Sequence, residues 1–258
     1  MAEMENTNQL ATAEPEAVLP YSPVALEEVV KAGVCYGRKK SLTNPKMRQF
    51  VLMNRNGIEM LDPVSVLDSL DGAKKFLKEI AKTGGLILFV GTRPSAKEGV
   101  ARLANQFDYP YVTRRWLGGT LTNFTTMSKR LNHYMNLKAD RSMGKLEKYT
   151  KRERLEIDRE IAKMQELFGG LERMKELPRA LLVVDAKAQD IAIREAMKTR
   201  IPVMALANTD ADPEVVQHLI PSNTSSKTSI AWVLAQLEES IAEGRKEAQT
   251  PTPAVVSQ

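Results

Sequence analysis

Apolar residues follow two rhythms along this chain, and their alternation predicts the fold. Leu86-Ile-Leu-Phe-Val90, Leu181-Leu-Val-Val184 and Val203-Met-Ala-Leu-Ala207 are short, nearly unbroken apolar runs, as expected of strands buried on both faces. Gly57-Ile-Glu-Met-Leu61, Tyr111-Val-Thr113 and a short run around Leu219-Ile220 read as further strands. Between them the spacing becomes helical. Val64, Leu67, Leu70, Phe76, Leu77 and Ile80 share a face of a helix predicted over Val64–Ala81, which Gly84-Gly85 ends. Val100, Leu103, Ala104 and Phe107 mark a second helix over Ser95–Phe107, and further helices are predicted over Asp190–Thr199 and Ser225–Glu243. Apolar strands alternating with amphipathic helices predict a doubly wound α/β domain, its parallel sheet covered on both faces.

One segment breaks this rhythm. From about Thr125 to Met174 there is no strand signal. Met127, Leu131 and Tyr134 lie on one helical face, and Ile157, Ile161, Met164 and Phe168 on another. Gly144, in the polar stretch between, marks a turn, so an antiparallel helical hairpin inserted over about residues 125–174 is expected. Its outer face mixes Lys151, Arg152, Arg154, Arg159 and Lys163 with Glu153, Glu156, Asp158, Glu160 and Glu166, the pattern of a solvated helix face.

The ends differ from the middle. Residues 1–20 carry Glu3, Glu5, Glu14 and Glu16 and no Lys or Arg, and are expected to be a disordered acidic extension. They have none of the charge pattern of a secretory or transit sequence, so the cytoplasm is the expected compartment. Residues 246–258 are expected to be a disordered tail, which leaves 21–245 as the folded domain. The chain has 258 residues and a net charge of +5, with a pI near 9.2. A basic body behind an acidic extension points to an anionic partner, and nucleic acid is the commonest. The single cysteine, Cys35, excludes an intrachain disulfide and any multi-cysteine metal site.

A nucleotide-dependent enzyme on this α/β sheet would need a phosphate-binding fingerprint after one of its strands. The turn after the Leu86–Val90 strand reads Gly91-Thr-Arg-Pro-Ser-Ala-Lys-Glu-Gly99. It has neither the G-x-G-x-x-G nor the G-K-[ST] pattern, and Pro94 removes an N–H that a phosphate cradle would use. Ser95 and Arg93 there suit a single phosphate of RNA as well as one of a nucleotide. His133 and His218 have no obvious nucleophile beside them and read as surface or capping residues. Asp185, Asp210 and Asp212 stand near strand ends, where they either cap the following turns or hold a divalent ion. No catalytic residue, cofactor or metal is assigned.

Two basic clusters are sharper. Lys31, Arg38, Lys39, Lys40, Lys46, Arg48 and Arg55 fall in a stretch without an acid, which reads as an irregular loop able to follow a phosphate backbone. The second cluster is Thr113-Arg-Arg-Trp-Leu-Gly-Gly-Thr-Leu-Thr-Asn123. Here Arg114 and Arg115 suit phosphates, Gly118-Gly119 allows close backbone approach, and Thr120, Thr122 and Asn123 supply hydrogen bonds. Trp116 is either a stacking platform for an exposed base or a core residue. With Arg93, the candidate RNA-binding residues are Arg38, Lys39, Lys40, Lys46, Arg48, Arg55, Arg114, Arg115, Trp116 and Asn123.

The run Arg115-Trp-Leu-Gly-Gly-Thr-Leu-Thr-Asn123 resembles the hallmark of the bacterial small-subunit ribosomal protein S-two family. Leu88-Phe-Val-Gly-Thr92, Leu177-Pro-Arg-Ala-Leu181, Val183-Val-Asp-Ala186, Ile201-Pro-Val203, Asn208-Thr-Asp210, Asp212-Pro213 and Ile220-Pro221 follow that family's order and spacing, over roughly residues 24–245. The resemblance implies a Rossmann-like (flavodoxin-like) parallel sheet with an inserted antiparallel coiled-coil hairpin, of the kind found in bacterial members and lacking in archaeal and cytosolic eukaryotic relatives. It also implies a non-catalytic constituent of the small ribosomal subunit, seated on the back of the particle between head and body. There it would contact small-subunit ribosomal RNA and neighbouring ribosomal proteins, among them S-one. The chain departs from the family locally. Gly33-Val-Cys-Tyr-Gly-Arg38 stands where Gly-Val-His-Phe-Gly-His is usual, which removes two imidazoles and adds a cation at Arg38. Ser222-Asn-Thr-Ser-Ser stands where a Gly-Asn-Asp pattern is usual, which weakens an ion site near Asp185.

Overall fold

The computed structural model describes residues 21–249. The expected acidic extension over 1–20 and the tail from 250 onward lie outside those residues. In chain order the elements are α1 (Pro23–Lys31), β1 (Tyr36–Lys39), β2 (Val51–Arg55), β3 (Ile58–Leu61), α2 (Pro63–Lys82), β4 (Ile87–Val90), α3 (Pro94–Gln106), β5 (Tyr111–Val112), α4 (Phe124–Ser142), α5 (Lys151–Phe168), β6 (Ala180–Val184), α6 (Asp190–Lys198), β7 (Val203–Ala207), β8 (His218–Pro221) and α7 (Lys227–Gln249).

The centre is a five-stranded sheet in the order β5-β4-β6-β7-β8, every neighbouring pair parallel. Numbered along the sheet's own strands this is the order 2-1-3-4-5 of a flavodoxin-like sheet. The unbroken apolar runs follow from burial on both sides. Ile87, Phe89, Leu182, Val184, Met204 and Leu206 face one layer, with α2, α3 and α7. Leu88, Val90, Leu181, Val183, Val203 and Ala205 face the other, with α6 and the base of the hairpin. Local chemistry starts and stops these helices as the sequence indicates. Asp62 accepts from the backbone N–H groups of Val64 (3.2 Å) and Ser65 (3.1 Å) to cap α2, with Pro63 in its first turn.

The hairpin is a pair of antiparallel helices, α4 and α5. Arg141 meets Asp158 at 3.1 Å near the turn. Tyr134 donates to Glu172 at 2.9 Å near the base. Met127, Leu131, Tyr134, Ile161 and Phe168 are buried, and they belong to the same core as the sheet's second face. The apolar stripe therefore seals the helix pair and also fastens its base to the domain.

Three expectations are corrected. The basic stretch from Lys31 to Arg55 is not an irregular loop: it contains β1, two 3-10 turns over Lys40–Leu42 and Pro45–Phe50, and β2. With β3 these strands form a separate antiparallel sheet in the order β1-β3-β2. Register shifts in both pairings, together with an exposed outer face, hide the strand alternation from the sequence. Second, α1 precedes this sheet where no element was expected; Ser22 caps it and Pro23 opens it. Third, the last helix continues past residue 245 to Gln249.

Candidate nucleic-acid interface

The basic antiparallel sheet is bolted to the carboxyl end of β7. Arg38 donates its backbone N–H to Thr209 Oγ1 (2.9 Å), and Asn44 donates its own to the Thr209 carbonyl (2.8 Å). Gly37 makes this approach possible, since a Cβ there would lie 2.5 Å from the Glu59 carbonyl and 2.8 Å from Thr209 Cγ2. Lys39, Lys40, Arg48 and Arg55 are exposed on this unit, and among the described residues none of them forms an ion pair. Arg115 is exposed and, among the described residues, forms no ion pair.

The other expected cations are engaged by acids. Lys46 bridges Asp212 at 3.2 Å and lies closer still to Glu214. Those two hydrogen bonds, Glu214 first and Asp212 second, raise its pKa. Arg114 pairs with Glu166 at 3.2 Å, tying β5's end to α5. Arg38 Nε stands 3.9 Å from Asp210 Oδ1, and Lys187 reaches the other oxygen of the same carboxylate at 3.3 Å. Asn123 is exposed at the start of α4.

Arg93 lies at the topological switch point of the sheet, between the carboxyl ends of β4 and β6, where sheets of this order receive ligands. It pairs there with the buried Asp185. Asp185 also accepts from the Ala188 N–H (3.1 Å) and from Thr224 Oγ1 (3.3 Å), and its backbone has φ 73°. Gln189 reaches across to Thr92 Oγ1 at 2.5 Å. The crevice is thus occupied by the chain's own side chains. Asp185 braces a turn and a cation, and Asp212 caps its turn by accepting from the Glu214 N–H at 3.1 Å. His133 is exposed, 3.7 Å from Glu160. His218 is neither a cap nor fully exposed: its ring stacks on Phe76 at 4.2 Å between centroids, and burial lowers its pKa.

Trp116 is a core residue, 8% exposed. Its Nε1–H donates to Glu195 Oε1 at 3.0 Å, and the Gly119 N–H reaches the same oxygen at 2.8 Å. The N–H groups of Leu121 (3.1 Å) and Thr122 (3.2 Å) and the Thr122 hydroxyl (3.1 Å) bind Oε2. Burial alone would push this carboxyl up, but the hydrogen bonds together outweigh it and hold its pKa below the usual value. Gly119, at φ 86°, takes the left-handed conformation that turns its N–H onto the carboxylate. Sequence reasoning missed Glu195. The available signal was an acid among Ala192, Ile193 and Ala196, on the face of α6 that turns to the core.

Comparison with known proteins agrees with this architecture. The family described as ribosomal protein S2 matches residues 29–244. A small ribosomal subunit protein uS2 from Roseiflexus castenholzii is 39% identical over 222 residues, covering 86% of this chain and 84% of the relative. The protein of that name from Corynebacterium glutamicum is 41% identical over 224 residues, covering 86% and 85%. The one from Thermus thermophilus is 36% identical over 230 residues, covering 89% and 90%. The chain belongs to the ribosomal protein S2 family.

Membership in the S2 family gives the motifs a physical sense. The run Arg115–Asn123, on which the resemblance rests, is the loop that Glu195 gathers, so the conspicuous Trp-Leu-Gly-Gly-Thr-Leu-Thr pattern is a set of donors shaped around one buried carboxylate. Val183-Val-Asp-Ala186 delivers Asp185 to the switch point. The local departure at Cys35 and Arg38 sits where the basic sheet joins the parallel one: Cys35 is buried, and Arg38 faces Asp210.

Proposed function

We propose that this chain is a structural constituent of the small ribosomal subunit, bound to small-subunit ribosomal RNA and to neighbouring ribosomal proteins in the cytoplasmic ribosome, and that it catalyses no reaction. The observation that carries the RNA-binding surface is the set Lys39, Lys40, Arg48, Arg55 and Arg115, all exposed and all without an acidic partner among the described residues. Each can neutralise a backbone phosphate and release its counterion. Arg38, Arg93, Arg114 and Lys46 are cations that acids of the chain already hold in place, at Asp210, Asp185, Glu166 and Asp212 with Glu214 respectively. Asn123 supplies hydrogen bonds beside Arg115, and Trp116 acts from the core by shaping the loop that presents both. Recruitment of S-one belongs to this reading through the family resemblance.

The test is the salt dependence of binding to small-subunit ribosomal RNA. Contacts from the unpaired cations predict a slope of log affinity against log salt of roughly −3.5 to −4.5, at about 0.7–0.9 per phosphate. Replacing Lys39, Lys40, Arg48 and Arg55 by Ala should flatten it. A wild-type slope near zero would contradict the reading.

A further inference from the structure

The geometry points to the outer face of the β1-β3-β2 sheet as a stacking platform for unpaired nucleotides, with Tyr36 as the residue on which a base lies. This rests on the RNA-binding reading above and names the kind of RNA that the surface takes.

The strand register builds the platform. Tyr36 and Met53 are both paired with Met60, so the three side chains form one row across the sheet. Lys39 and Arg55 are both paired with Ile58 and form the adjacent row on the same face. Tyr36 is 49% exposed, Met53 55% and Ile58 41%, an unusual concentration of open apolar surface on so small a sheet. Among the described residues, the three strands place no acid on this face. Glu59, between Ile58 and Met60, is buried on the opposite side, where Thr43 donates to it.

An apolar, aromatic-bearing face flanked by two cations matches the chemistry of an unpaired nucleotide. The ring of Tyr36 and the side chains of Met53 and Ile58 meet the faces of bases, while Lys39 and Arg55 meet the phosphates on either side. A duplex keeps its base faces stacked inside and offers this surface only charge. An apolar protein segment would fill the row of Tyr36, Met60 and Met53 equally well, but it would have to carry acids to meet Lys39 and Arg55. The unbroken positive charge of residues 31–58 favours the polyanion. Trp116, one candidate for base stacking in the sequence, is a core residue; the exposed aromatic of the basic unit is Tyr36.

The full-length chain is titrated against a short unstructured oligoribonucleotide and against an RNA duplex of equal length. Wild type is expected to prefer the single strand. Tyr36→Ala should lose roughly 5- to 150-fold in affinity for it, the range for one stacked base. The salt slope should stay unchanged because the phosphate contacts remain, and Tyr36→Phe should bind like wild type. Met53→Ser is a second variant that does not touch the aromatic, and it should weaken the single strand selectively. Matching thermal melts establish that both variants are folded. Undiminished single-strand binding by Tyr36→Ala, or an equal loss on duplex and single strand, overturns the platform while leaving the charge-based RNA reading intact. Absence of salt-dependent binding in wild type overturns that reading and the platform with it. Tyr36-dependent binding of an acidic amphipathic peptide, with no preference between the two RNAs, would assign the face to a protein.

Discussion

Glu195 and Trp116, far apart in sequence, meet in the core through a 3.0 Å hydrogen bond from the indole N–H to the carboxylate. Four further donors from Gly119, Leu121 and Thr122 close around the same two oxygens. Among the described residues no cation pairs with this carboxylate, so its charge is carried by oriented N–H and O–H dipoles. Removing that charge breaks the loop's organising centre. Glu195→Gln, which sets an amide NH₂ against donors, is expected to lower stability by about 2–4 kcal/mol. Urea denaturation monitored by Trp fluorescence reads this directly.

The same site sets a pH dependence. Its pKa is lowered in the folded chain, so the folded state binds the proton less readily than the unfolded chain does. Its contribution is therefore fully present above the ordinary glutamate value of about 4.3 and is lost as the pH falls below it. The stability of wild type should fall more steeply than that of Glu195→Gln as the pH is taken below about 4.5. Parallel pH profiles for the two proteins would show that the carboxylate is not held in its charged form.

The hairpin's base and tip are expected to behave differently. Tyr134 is fully buried, bonded to Glu172, and part of the core that covers the second face of the sheet. Tyr134→Ala should cost about 3–5 kcal/mol, whereas replacing residues 140–156 with a short Gly-Ser linker should leave a cooperative melt. Excising 128–172 goes further, because it strips Leu131, Tyr134, Ile161, Phe168 and Leu171 from that core. A tip deletion that abolishes the cooperative transition would show that the distal helices are part of the domain's folding unit.

Cys35 is 2% exposed, and burial, reinforced by the nearby Asp62 carboxylate, pushes its thiol up to about 12. The native protein should therefore be inert to a thiol reagent at pH 8 and react only on unfolding. Stoichiometric modification of the folded chain at the rate of a free thiol would contradict its placement.

How much of this was legible beforehand follows from where each signal is stored. The parallel sheet could be read because burial on both faces leaves unbroken apolar runs such as Leu181–Val184. The hairpin could be read because Ile161 and Phe168 keep helical spacing. The small antiparallel sheet could not: its outward face, with Tyr36, Met53 and Ile58, is apolar yet exposed, and its bulges and 3-10 turns break the alternation. Charge clusters were visible as composition, but ion pairing is a tertiary property. Nothing around Lys46 in the sequence shows Asp212 and Glu214, and nothing around Trp116 shows Glu195.

That pairing separates two neighbouring cations that look alike in the sequence. Arg48→Ala should reduce the salt slope of RNA binding by about 0.7–0.9, the loss of one phosphate contact. Lys46→Ala should change it much less, because Asp212 and Glu214 already engage its ammonium. Equal effects would mean that the ion pairs open when RNA binds.

The central claim is that this chain works as part of the small ribosomal subunit, and co-sedimentation tests it most directly. The tagged full-length chain, expressed in its own cells, is followed through a sucrose gradient that separates free protein, subunits and whole ribosomes. It should migrate with small subunits and with whole ribosomes, remain there at moderate salt, and be stripped off at high salt. A chain found only at the top of the gradient, with small subunits intact elsewhere in it, would contradict the account.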